Sequence, residues 1–383
     1  MKHQDHPIYL DYNASTPIAP EVANAMRPFI ASHYGNPSSP HWAGRPAKEA
    51  FERARGQVAG LLGCEAAEVI FTSGGTESNN HALKGAFFAL REKGNHIVTS
   101  SIEHPAVLNP CRFLETLGAE VTYLPVDGTG MVNPDDVRSA ITDRTILVTI
   151  MHANNEVGTI QPIGDIARFT RERAVLLHTD AAQSAGKIPV RVNDLGVDLL
   201  SVAGHKVYAP KGVGALYIRS GTPLEPFMHG AGHESGRRAG TENVLFDVAL
   251  GKACEVAARG LAEHAQHLRA MRDDLHRQLR ERLGETRLNG HPERRLPNTL
   301  SIAIQDLAAN ELLDAIRDRV AASAGSACHA GQVTISGVLA AMGVPTEWAR
   351  GTLRLSTGRM TTEKDIASAV EVIVETAERL RHG

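Results

Sequence analysis

The sequence has little of what marks a membrane protein or a nucleic-acid-binding protein. Aromatic residues make up only 4% of the 383 residues, which argues against a large aromatic binding surface. No run of 18 or more apolar residues occurs, so the length needed for a membrane-spanning helix is missing. The 40 basic and 43 acidic residues leave a net charge of -3. That balance argues against direct binding to nucleic acid or to an anionic membrane surface.

Cysteine is also scarce. The four cysteines Cys64, Cys111, Cys254 and Cys328 are spread over the whole chain, and no CxxC or other metal-ligand spacing occurs among them. The pattern therefore predicts no metal site and no disulfide framework, and it favours a reducing compartment. Because residues 1–7 lack the apolar run of a signal peptide, we expect a cytoplasmic protein.

What the sequence does contain is the composition of a globular protein with a core, with 42% hydrophobic and 22% charged residues. Short apolar runs alternate with segments of helical spacing such as 77–90 and 163–173. This alternation predicts an α/β fold with a mostly parallel sheet between helices. The predicted strands are Val69–Phe71, His96–Thr99, Val121–Leu124, Ile146–Ile150, Val175–Leu177, Leu199–Val202 and Ala215–Ile218.

The pattern changes after about Gly260. A long charged helix is predicted over Leu261–Leu283, followed by a connection rich in Gly, Pro and Arg. A strand Thr299–Ile304, a helix Glu311–Arg319, a strand Thr352–Ser356 and a final helix capped by Thr362 follow. We therefore predict a large domain over residues 15–260 and a smaller α+β domain formed by residues 1–14 and 261–383.

The segment 72–80, Thr-Ser-Gly-Gly-Thr-Glu-Ser-Asn-Asn, directly follows a predicted strand. Its glycines allow a close backbone approach, and the helix that follows offers unpaired N–H groups and the positive end of its dipole. The segment is neither a P-loop nor a GxGxxG fingerprint. With the hydroxyls of Ser73, Thr76 and Ser78 as further donors it predicts a phosphate cradle, although a polar turn with a helix cap is the more common explanation of such a segment taken alone.

Two later segments place useful side chains just after predicted strands. Asp180 ends one strand, and Lys206 follows the strand Leu199–Val202 directly after Gly204 and His205. Ligands of open α/β sheets bind outside the carboxyl ends of the strands. Taken singly, Asp180 could be a helix cap and Lys206 a solvated surface lysine. The order of phosphate loop, acid and lysine along the chain instead favours one cofactor site, in which the acid would hold a pyridinium nitrogen.

That order and the sequence motifs around it resemble those of the cysteine desulfurases, enzymes of the class V aminotransferase family that use pyridoxal phosphate. They also resemble those of the related selenocysteine lyases. The resemblance extends from residue 9 to about residue 360. It implies the fold-type I architecture of pyridoxal phosphate enzymes, a homodimer, and release of sulfur from L-cysteine. The matching segments are 9–14 (YLDYNA), 35–39 (GNPSS), 73–80 (SGGTESNN), 103–104 (EH), 153–158 (ANNEVG), 179–183 (TDAAQ), 204–206 (GHK), 238–241 (RAGT), 326–328 (SAC) and 354–356 (RLS).

The resemblance also implies a role for each matching residue. Lys206 would bond covalently to the cofactor, and His104 would stack on its ring and move protons. The other cofactor contacts would be Asp180 at the ring nitrogen, Gln183 at the phenolic oxygen, and Gly75, Thr76, His205 and, from the partner subunit, Thr241 at the phosphate. Asn155 would contact both cofactor and substrate. Asn13 and Arg354 complete the substrate site, where the guanidinium suits a carboxylate.

Cys328 is the nucleophile that the resemblance implies. It lies among small residues, which predict a mobile loop able to carry a persulfide away, and a protonated His329 would lower the pKa of the thiol. An isolated cysteine is more commonly a small buried hydrophobic residue, and we keep that interpretation for Cys64, Cys111 and Cys254.

Some features depart from the family pattern and leave alternatives open. Ala203 stands where many desulfurases have a serine, and the run after Cys328 differs from that of the housekeeping iron–sulfur enzymes. The chain ends at Gly383 without the extension that docks a cluster scaffold. The persulfide acceptor could thus serve iron–sulfur cluster assembly or sulfur modification of nucleic acid. A selenocysteine lyase and a class V aminotransferase are the alternative activities.

Overall fold

The computed structural model describes residues 7–329 and 332–382, without the side chains of residues 326–334 and of His382. No helix in these ranges is long and apolar enough to cross a membrane. The strands, in chain order, are β1 Ile8–Tyr9, β2 Val69–Thr72, β3 His96–Ser100, β4 Glu120–Leu124, β5 Thr145–Thr149, β6 Leu176–Asp180, β7 Leu199–Ala203, β8 Gly214–Ile218, β9 Thr286–Asn289, β10 Thr299–Ile304, β11 Val320–Ala321, β12 Ser323–Ala324, β13 Ser326–His329, β14 Gln332–Ile335 and β15 Thr352–Ser356.

The helices alternate with these strands in the first two thirds of the chain and pack beside them in the last third. In chain order they are α1 Pro20–Ala31, α2 Gly44–Leu62, α3 Gly75–Leu90, α4 Pro105–Glu115, α5 Pro134–Ala140, α6 Ile163–Glu172, α7 Val192–Leu195, α8 Val244–Arg259, α9 Leu261–Leu283, α10 Ala309–Ile316, α11 Gly337–Ala341, α12 Thr346–Arg350 and α13 Glu363–His382.

Seven strands form the main sheet in the order β2-β8-β7-β6-β5-β3-β4. The pairs from β7 through β6, β5 and β3 to β4 are parallel, whereas β8 runs antiparallel to both of its neighbours. The seven strands predicted from the apolar runs are therefore confirmed, with ends that differ by at most one residue except in β6, which ends three residues later than predicted. Because β3, β5, β6 and β7 are parallel, their carboxyl ends meet at one edge of the sheet.

The apolar runs are continuous because helices cover both faces of the sheet. Val69 and Phe71 of β2 pack in a core with α1, α2, α6 and α8, whereas Ile70 between them packs in a core with α3 and α4. Tyr217 and Leu216 of β8 divide between the two cores in the same way. Successive side chains of a strand point to opposite faces of the sheet. A sheet that is covered on both faces therefore needs apolar residues at every position of its strands.

A second, antiparallel sheet has the order β12-β15-β10-β9. Its apolar face packs against α9, α10 and α13, and Ile8 and Leu10 from the start of the chain lie in the same core. The predicted fold class, a large unit with a mostly parallel seven-stranded sheet and a smaller α+β unit, is confirmed. The domain boundaries at residues 14 and 260 stay a prediction.

The segment after β1 connects the two sheets. β1 pairs with β11, and Asp11 bridges to Ser356 at the end of β15. Thr16 then donates its backbone N–H to the carbonyl of His205 beside the large sheet. The N-terminal segment thereby carries residues 11–16 across the junction.

Two predictions in the last third need correction. The run around Cys328 is not an irregular loop: β13 and β14 pair antiparallel, with Cys328 opposite Val333. The ladder needs only backbone groups, and the β-branched residues Val333, Thr334 and Ile335 favour strands. The helix predicted over Glu311–Arg319 is α10, Ala309–Ile316, so it begins and ends earlier.

Candidate active site

A cavity of about 420 Å³ lies at the carboxyl ends of the parallel strands, where the N-terminal segment and β15 also arrive. Ten of the residues that the sequence singled out line it, together with seven neighbours. The lining consists of Asn13, Ala14, Gly75, Thr76, Asn79, His104, Ala106, Met151, Ala153, Asn155, Asp180, Ala182, Gln183, Ala203, His205, Lys206 and Arg354.

The first turn of α3 forms one end of the cavity. Gly74 precedes this helix with a φ of +149°, and no side chain caps the helix. The first N–H groups of a helix have no intrahelical acceptor, so those of Gly75 and Thr76 are available to an anion. A Cβ at position 75 would lie 3.1 Å from the Cβ of Ala203, so glycine allows β7 to pass close by.

Asp180 ends β6 and is buried against donors. Its Oδ2 accepts a hydrogen bond from Asn79 Nδ2 at 2.7 Å, and its Oδ1 accepts one from the backbone N–H of Ala182 at 2.9 Å. The two bonds fix the plane of the carboxylate. Asp180 is therefore a fixed acceptor in the cavity wall.

Lys206 lies in a short 3-10 turn, Gly204–Lys206, that follows β7. Its Nζ donates to the backbone carbonyl of Asn13 and, at 2.8 Å, to that of Ala14. Burial, together with the nearby Arg354 guanidinium, lowers the pKa of Lys206 to about 8. This amine can thus lose its proton more readily than a solvated lysine, as a nucleophilic amine must.

Two histidines in the cavity wall are kept neutral by their surroundings. His104 Nδ1 accepts a hydrogen bond from the backbone N–H of Ala106 at 3.0 Å and so caps α4. Burial lowers the pKa of His104, and Lys206 adds to that effect while Asp180 opposes it. Burial and the charge of Lys206 lower the pKa of His205 to about 4. At neutral pH each imidazole can therefore donate one N–H.

Gln183 and Asn13 join the large sheet to the N-terminal segment. Gln183 Nε2 donates to the carbonyl of Asn13 at 3.0 Å. The Asn13 side chain donates to Thr299 Oγ1 at 2.8 Å and to the carbonyl of Asn155 at 3.1 Å, and it accepts from Asn298. The amide group of Asn13 is thus fully used within the protein, although the residue lines the cavity. A substrate contact of Asn13 stays a prediction.

Arg354 enters the cavity from β15. Its Nη2 donates to Asp11 Oδ1 and to Ser323 Oγ, each at 2.9 Å, and its Nη1 donates to the carbonyl of Asn155 at 3.3 Å. Its Nε is buried and has no acceptor in the described part of the structure. The guanidinium is held rigidly and retains a donor for a carboxylate.

Two predicted site residues are not among those that line the cavity. Thr241 is exposed, on the irregular segment that precedes α8. Cys328 has its backbone in β13, and its side chain lies outside the described residues. Cys111 and Cys254 are buried and Cys64 is partly buried, and burial raises the pKa of each thiol to about 12. That environment agrees with their interpretation as small hydrophobic residues.

Sequence reasoning missed some of the site. It quoted Asn79 in the SGGTESNN run but gave it no role, although this residue orients Asp180. It also gave no role to Asp11, the partner of Arg354. The sequence did contain a signal for Asn79, because it is a polar residue one turn into a helix that starts at the site. No local signal pointed to Asp11. Across residues 7–329 and 332–382 no group of three or more His, Cys, Asp or Glu residues is arranged to hold a metal ion.

Comparisons with known proteins agree with this geometry. The model of the aminotransferase class-V family matches residues 8–368. The chain is 48% identical over 375 residues to the cysteine desulfurase IscS of Dictyoglomus turgidum, covering 98% of this chain and 95% of that protein. A solved NifS-like protein is 37% identical with a TM-score of 0.92, covering 98% of this chain and all of that one. The solved structure of SspA in complex with cysteine is 40% identical with a TM-score of 0.81, covering 93% of this chain and all of that one.

Proposed function

The chain belongs to the class V aminotransferase family and, within it, to the cysteine desulfurases, and from that premise we propose what its site binds and which residues act. The substrate is L-cysteine and the cofactor pyridoxal phosphate. The observation that carries the proposal is that Lys206, Asp180 and Arg354 line one cavity with the N-terminus of α3.

The chemistry of the donors fits this cofactor. The free N–H groups of Gly75 and Thr76 and the imidazole of His205 suit the phosphate. The fixed carboxylate of Asp180 suits the ring nitrogen, and the amine of Lys206 suits the aldehyde. Gln183 Nε2 would face the phenolic oxygen. When bound, pyridoxal phosphate supplies an electron sink that weakens bonds at the α and β carbons of an amino acid.

The substrate would be held by its carboxylate. Arg354 offers its unpartnered Nε, while Asp11 and Ser323 keep the guanidinium in place. Asn155, whose carbonyl accepts from both Asn13 and Arg354, lines the same side of the cavity. The amine of the substrate would then lie near Lys206, whose Nζ can take the α-proton. His104 can move a proton only through Nε2, because its Nδ1 accepts from Ala106.

Sulfur would pass to Cys328 as follows. The Cys328 thiolate attacks the sulfur of the substrate, an S–S bond forms, and the Cβ–S bond breaks. Cysteine and the enzyme thiol thereby become alanine and an enzyme persulfide, with the carbon reduced and the sulfur oxidised. An acceptor protein in the cytoplasm would take the persulfide sulfur, for iron–sulfur cluster assembly or for sulfur modification of nucleic acid. The net charge of -3 gives no support to direct contact with nucleic acid.

A test follows the cofactor and both products together. Purified protein with pyridoxal phosphate should show a visible absorption band, and addition of L-cysteine with a thiol reductant should give alanine and sulfide in equal amounts. The variant Cys328→Ser should keep the band and lose sulfide production. Cys254→Ser, which changes a buried cysteine that has no role in this proposal, should keep both the band and sulfide production. Transfer of the amino group to an α-keto acid without sulfide would instead identify an aminotransferase. Turnover of selenocysteine but not of cysteine would identify a selenocysteine lyase.

The role of Thr241 requires a second copy of the chain. Thr241 is exposed in the protomer and is not among the residues that line its own cavity. We therefore propose a homodimer in which the partner subunit's copy of this hydroxyl reaches the phosphate end. Sedimentation should give a dimer, and a fully active monomer would contradict this assignment.

A further inference from the structure

A second buried lysine lies beside the site, and the activity as described so far does not use it. Lys187 is only 5% exposed. None of the ion pairs among the described residues includes it, and its Nζ has one hydrogen-bond acceptor there, Gln183 Oε1 at 3.0 Å. A buried lysine without a carboxylate partner is costly, so its retention calls for a physical reason.

The chain is shaped locally to make this contact. After β6 it continues in turns, in which Lys187 donates its backbone N–H to the carbonyl of Ser184. Gly186 has a φ of +75°, and a Cβ there would lie 3.2 Å from the side chains of Ala257 and Val207. Any other residue at position 186 would strain the turn that brings Lys187 back to Gln183.

The chemistry of the contact fixes the orientation of an amide. A lysine side chain can donate hydrogen bonds and, when protonated, cannot accept them. The Gln183 oxygen therefore faces Lys187, and its Nε2 faces the carbonyl of Asn13 at 3.0 Å. If the amide were reversed, donor would face donor at Lys187 and acceptor would face acceptor at Asn13. Gln183 is thus held with its Nε2, and not its Oε1, on the side of Asn13, and both residues line the cavity.

The charges around Lys187 are mostly of its own sign. Lys206 and Arg354 are the charged groups that act on it, and Lys187 in turn acts on His205. Burial, followed by those two cations, lowers the pKa of Lys187 to about 7. An uncharged amine still has N–H groups, and a reversed amide would still turn its oxygen toward the carbonyl of Asn13, so the contact with Gln183 keeps its direction on both sides of that pH.

We propose that Lys187 is a positioning residue: it holds the Gln183 amide so that the site presents an N–H donor, and not a carbonyl, to an oxygen anion of the bound ligand. The identity of that oxygen, the phenolic oxygen of pyridoxal phosphate, rests on the proposed function. Lys187 itself touches neither ligand nor substrate, and it acts only through Gln183.

The test is a pH titration of the visible absorption band of the holoenzyme without substrate. In Lys187→Met, the Gln183 amide is free to reverse, and an oxygen anion that loses a donor holds its neighbouring proton more tightly. The midpoint of the titration should rise by about one unit, the size expected for one hydrogen bond to a charged group. Lys211→Met, at an exposed lysine, should leave the midpoint where it is.

Two further variants separate the donor from its charge. Lys187→Gln is neutral but can donate, so its midpoint should stay close to that of the wild type. In a Gln183→Ala background, Lys187→Met should add no further shift. A full shift in that background would show that the charge acts directly through space and would overturn the proposal. If Lys187→Met is too unstable to titrate, the comparison of Lys187→Gln with Gln183→Ala decides. If Lys187→Gln titrates with the midpoint of the wild type, the proposal is supported. If Lys187→Gln titrates with the midpoint of Gln183→Ala, the proposal is overturned.

Failure of this inference differs from failure of the proposed function. Wild-type protein that binds no pyridoxal phosphate would overturn the function and, with it, this role of Lys187. The role of Lys187 alone would be overturned if the wild-type protein binds the cofactor and makes sulfide, and the titration curve of Lys187→Met superimposes on the wild-type curve.

Discussion

The two walls of the cavity are built in different ways. The cofactor wall, defined here as Gly75, His104, Asp180 and Lys206, comes from segments that follow β2, β3, β6 and β7 of one sheet. The substrate wall, defined as Asn13 and Arg354 with Asp11, comes from the start of the chain and from β15 near its end. The first wall needs only the main sheet to form, whereas the second exists only when segments 343 residues apart in sequence meet.

The walls also differ in how their charges are held. Asp180 in the cofactor wall is fixed by neutral donors, the Asn79 amide and a backbone N–H. Arg354 in the substrate wall is fixed by a carboxylate, a hydroxyl and a carbonyl. Asp180 therefore has no ion-pair partner among the described residues, whereas Arg354 is paired with Asp11 and keeps an Nε without an acceptor there. We infer that substitutions in the cofactor wall lower turnover, and that substitutions in the substrate wall mainly weaken the binding of cysteine.

The largest expected effect is in the cofactor wall. Lys206→Ala removes both the amine for the cofactor aldehyde and a proton carrier, and we expect turnover to fall by at least about 10⁴-fold. The visible band of the holoenzyme should change as well. The measurement is alanine release under saturating cysteine, with the absorption spectrum recorded in parallel.

Lys211→Ala is the matched control, because it changes an exposed lysine five residues further along the same segment. It should retain the activity and the spectrum of the wild type. Substantial turnover by Lys206→Ala would show that the reaction does not depend on this amine, and the division between the walls would fail.

The next largest effect is in the substrate wall. Arg354→Met removes the N–H donors for the substrate carboxylate and keeps an unbranched apolar stem, so the KM for cysteine should rise by about 10²-fold. The substrate-free holoenzyme should keep its visible band, because Arg354 is not a cofactor contact in this proposal. Only the pH midpoint of that band should rise, because the guanidinium lowers the pKa of Lys206. Arg350→Met, at an exposed arginine on α12, is the control. If Arg354→Met loses the visible band of the holoenzyme as well as raising the KM, the two walls are not separate.

A milder change in the same wall sharpens the comparison. Asp11→Asn keeps an acceptor for Arg354 but removes the charge, so the guanidinium should stay in place with a weaker hold. We expect the KM for cysteine to rise by roughly threefold to tenfold, with kcat nearly unchanged, because the amide oxygen still accepts from the guanidinium and only the charge assistance of that hydrogen bond is lost. Equal losses in kcat and KM would mean that Asp11 takes part in the chemistry itself.

The contrast between the walls also explains what could be read from the sequence. Asp180 and Lys206 were predictable because an apolar run locates a strand, and a polar residue after its end then lies at the ligand edge. Arg354 and Asn13 were identified only through the family resemblance, since no local pattern indicates that β15 and the N-terminal segment meet. The pairing of Arg354 with Asp11 was not foreseen at all, because it depends on the second sheet.

Other residues were missed for a different reason. Lysines are usually solvated, so Lys187 gave no reason to expect a buried contact with Gln183. The hairpin at Cys328 was predicted as a loop, because small residues suggested mobility while the β-branched residues that follow were given less weight. Thr241 remains a prediction that concerns a second subunit. The contacts of Lys187 and of Cys328 are local in sequence, with Gln183 four residues before Lys187 and β14 directly after β13, so what was missed there is burial and pairing, whereas the partner proposed for Thr241 is on another subunit.

The smallest expected effect concerns Glu103, which supports the cofactor wall from behind. Its Oε1 accepts from Ser100 Oγ at 2.6 Å and from the backbone N–H of Met151 at 2.9 Å, which joins the ends of β3 and β5. Its Oε2 is buried without a partner in the described part of the structure. Burial raises the pKa of Glu103 from 4.5 to about 8. The folded protein therefore holds a proton there that the unfolded chain releases as the pH rises.

The sign of the pH dependence follows from that difference. The contribution of Glu103 to stability is fully present below about pH 4.5, and it is lost as the pH rises toward 8, because only the unfolded chain ionises in this range. Glu103→Gln keeps the shape and the acceptor without the ionisation. Its Tm should lie closest to that of the wild type at the acid end of the range, near pH 5, and should exceed it by about 3 °C at pH 8, since about 1 kcal/mol shifts the Tm of a chain of this length by roughly 1 °C. Glu92→Gln, at an exposed glutamate, should show no such divergence. Wild-type and Glu103→Gln curves that stay parallel from pH 5 to pH 8 would show that Glu103 is charged in the fold, and the cofactor wall would then rest on an anion next to Asp180.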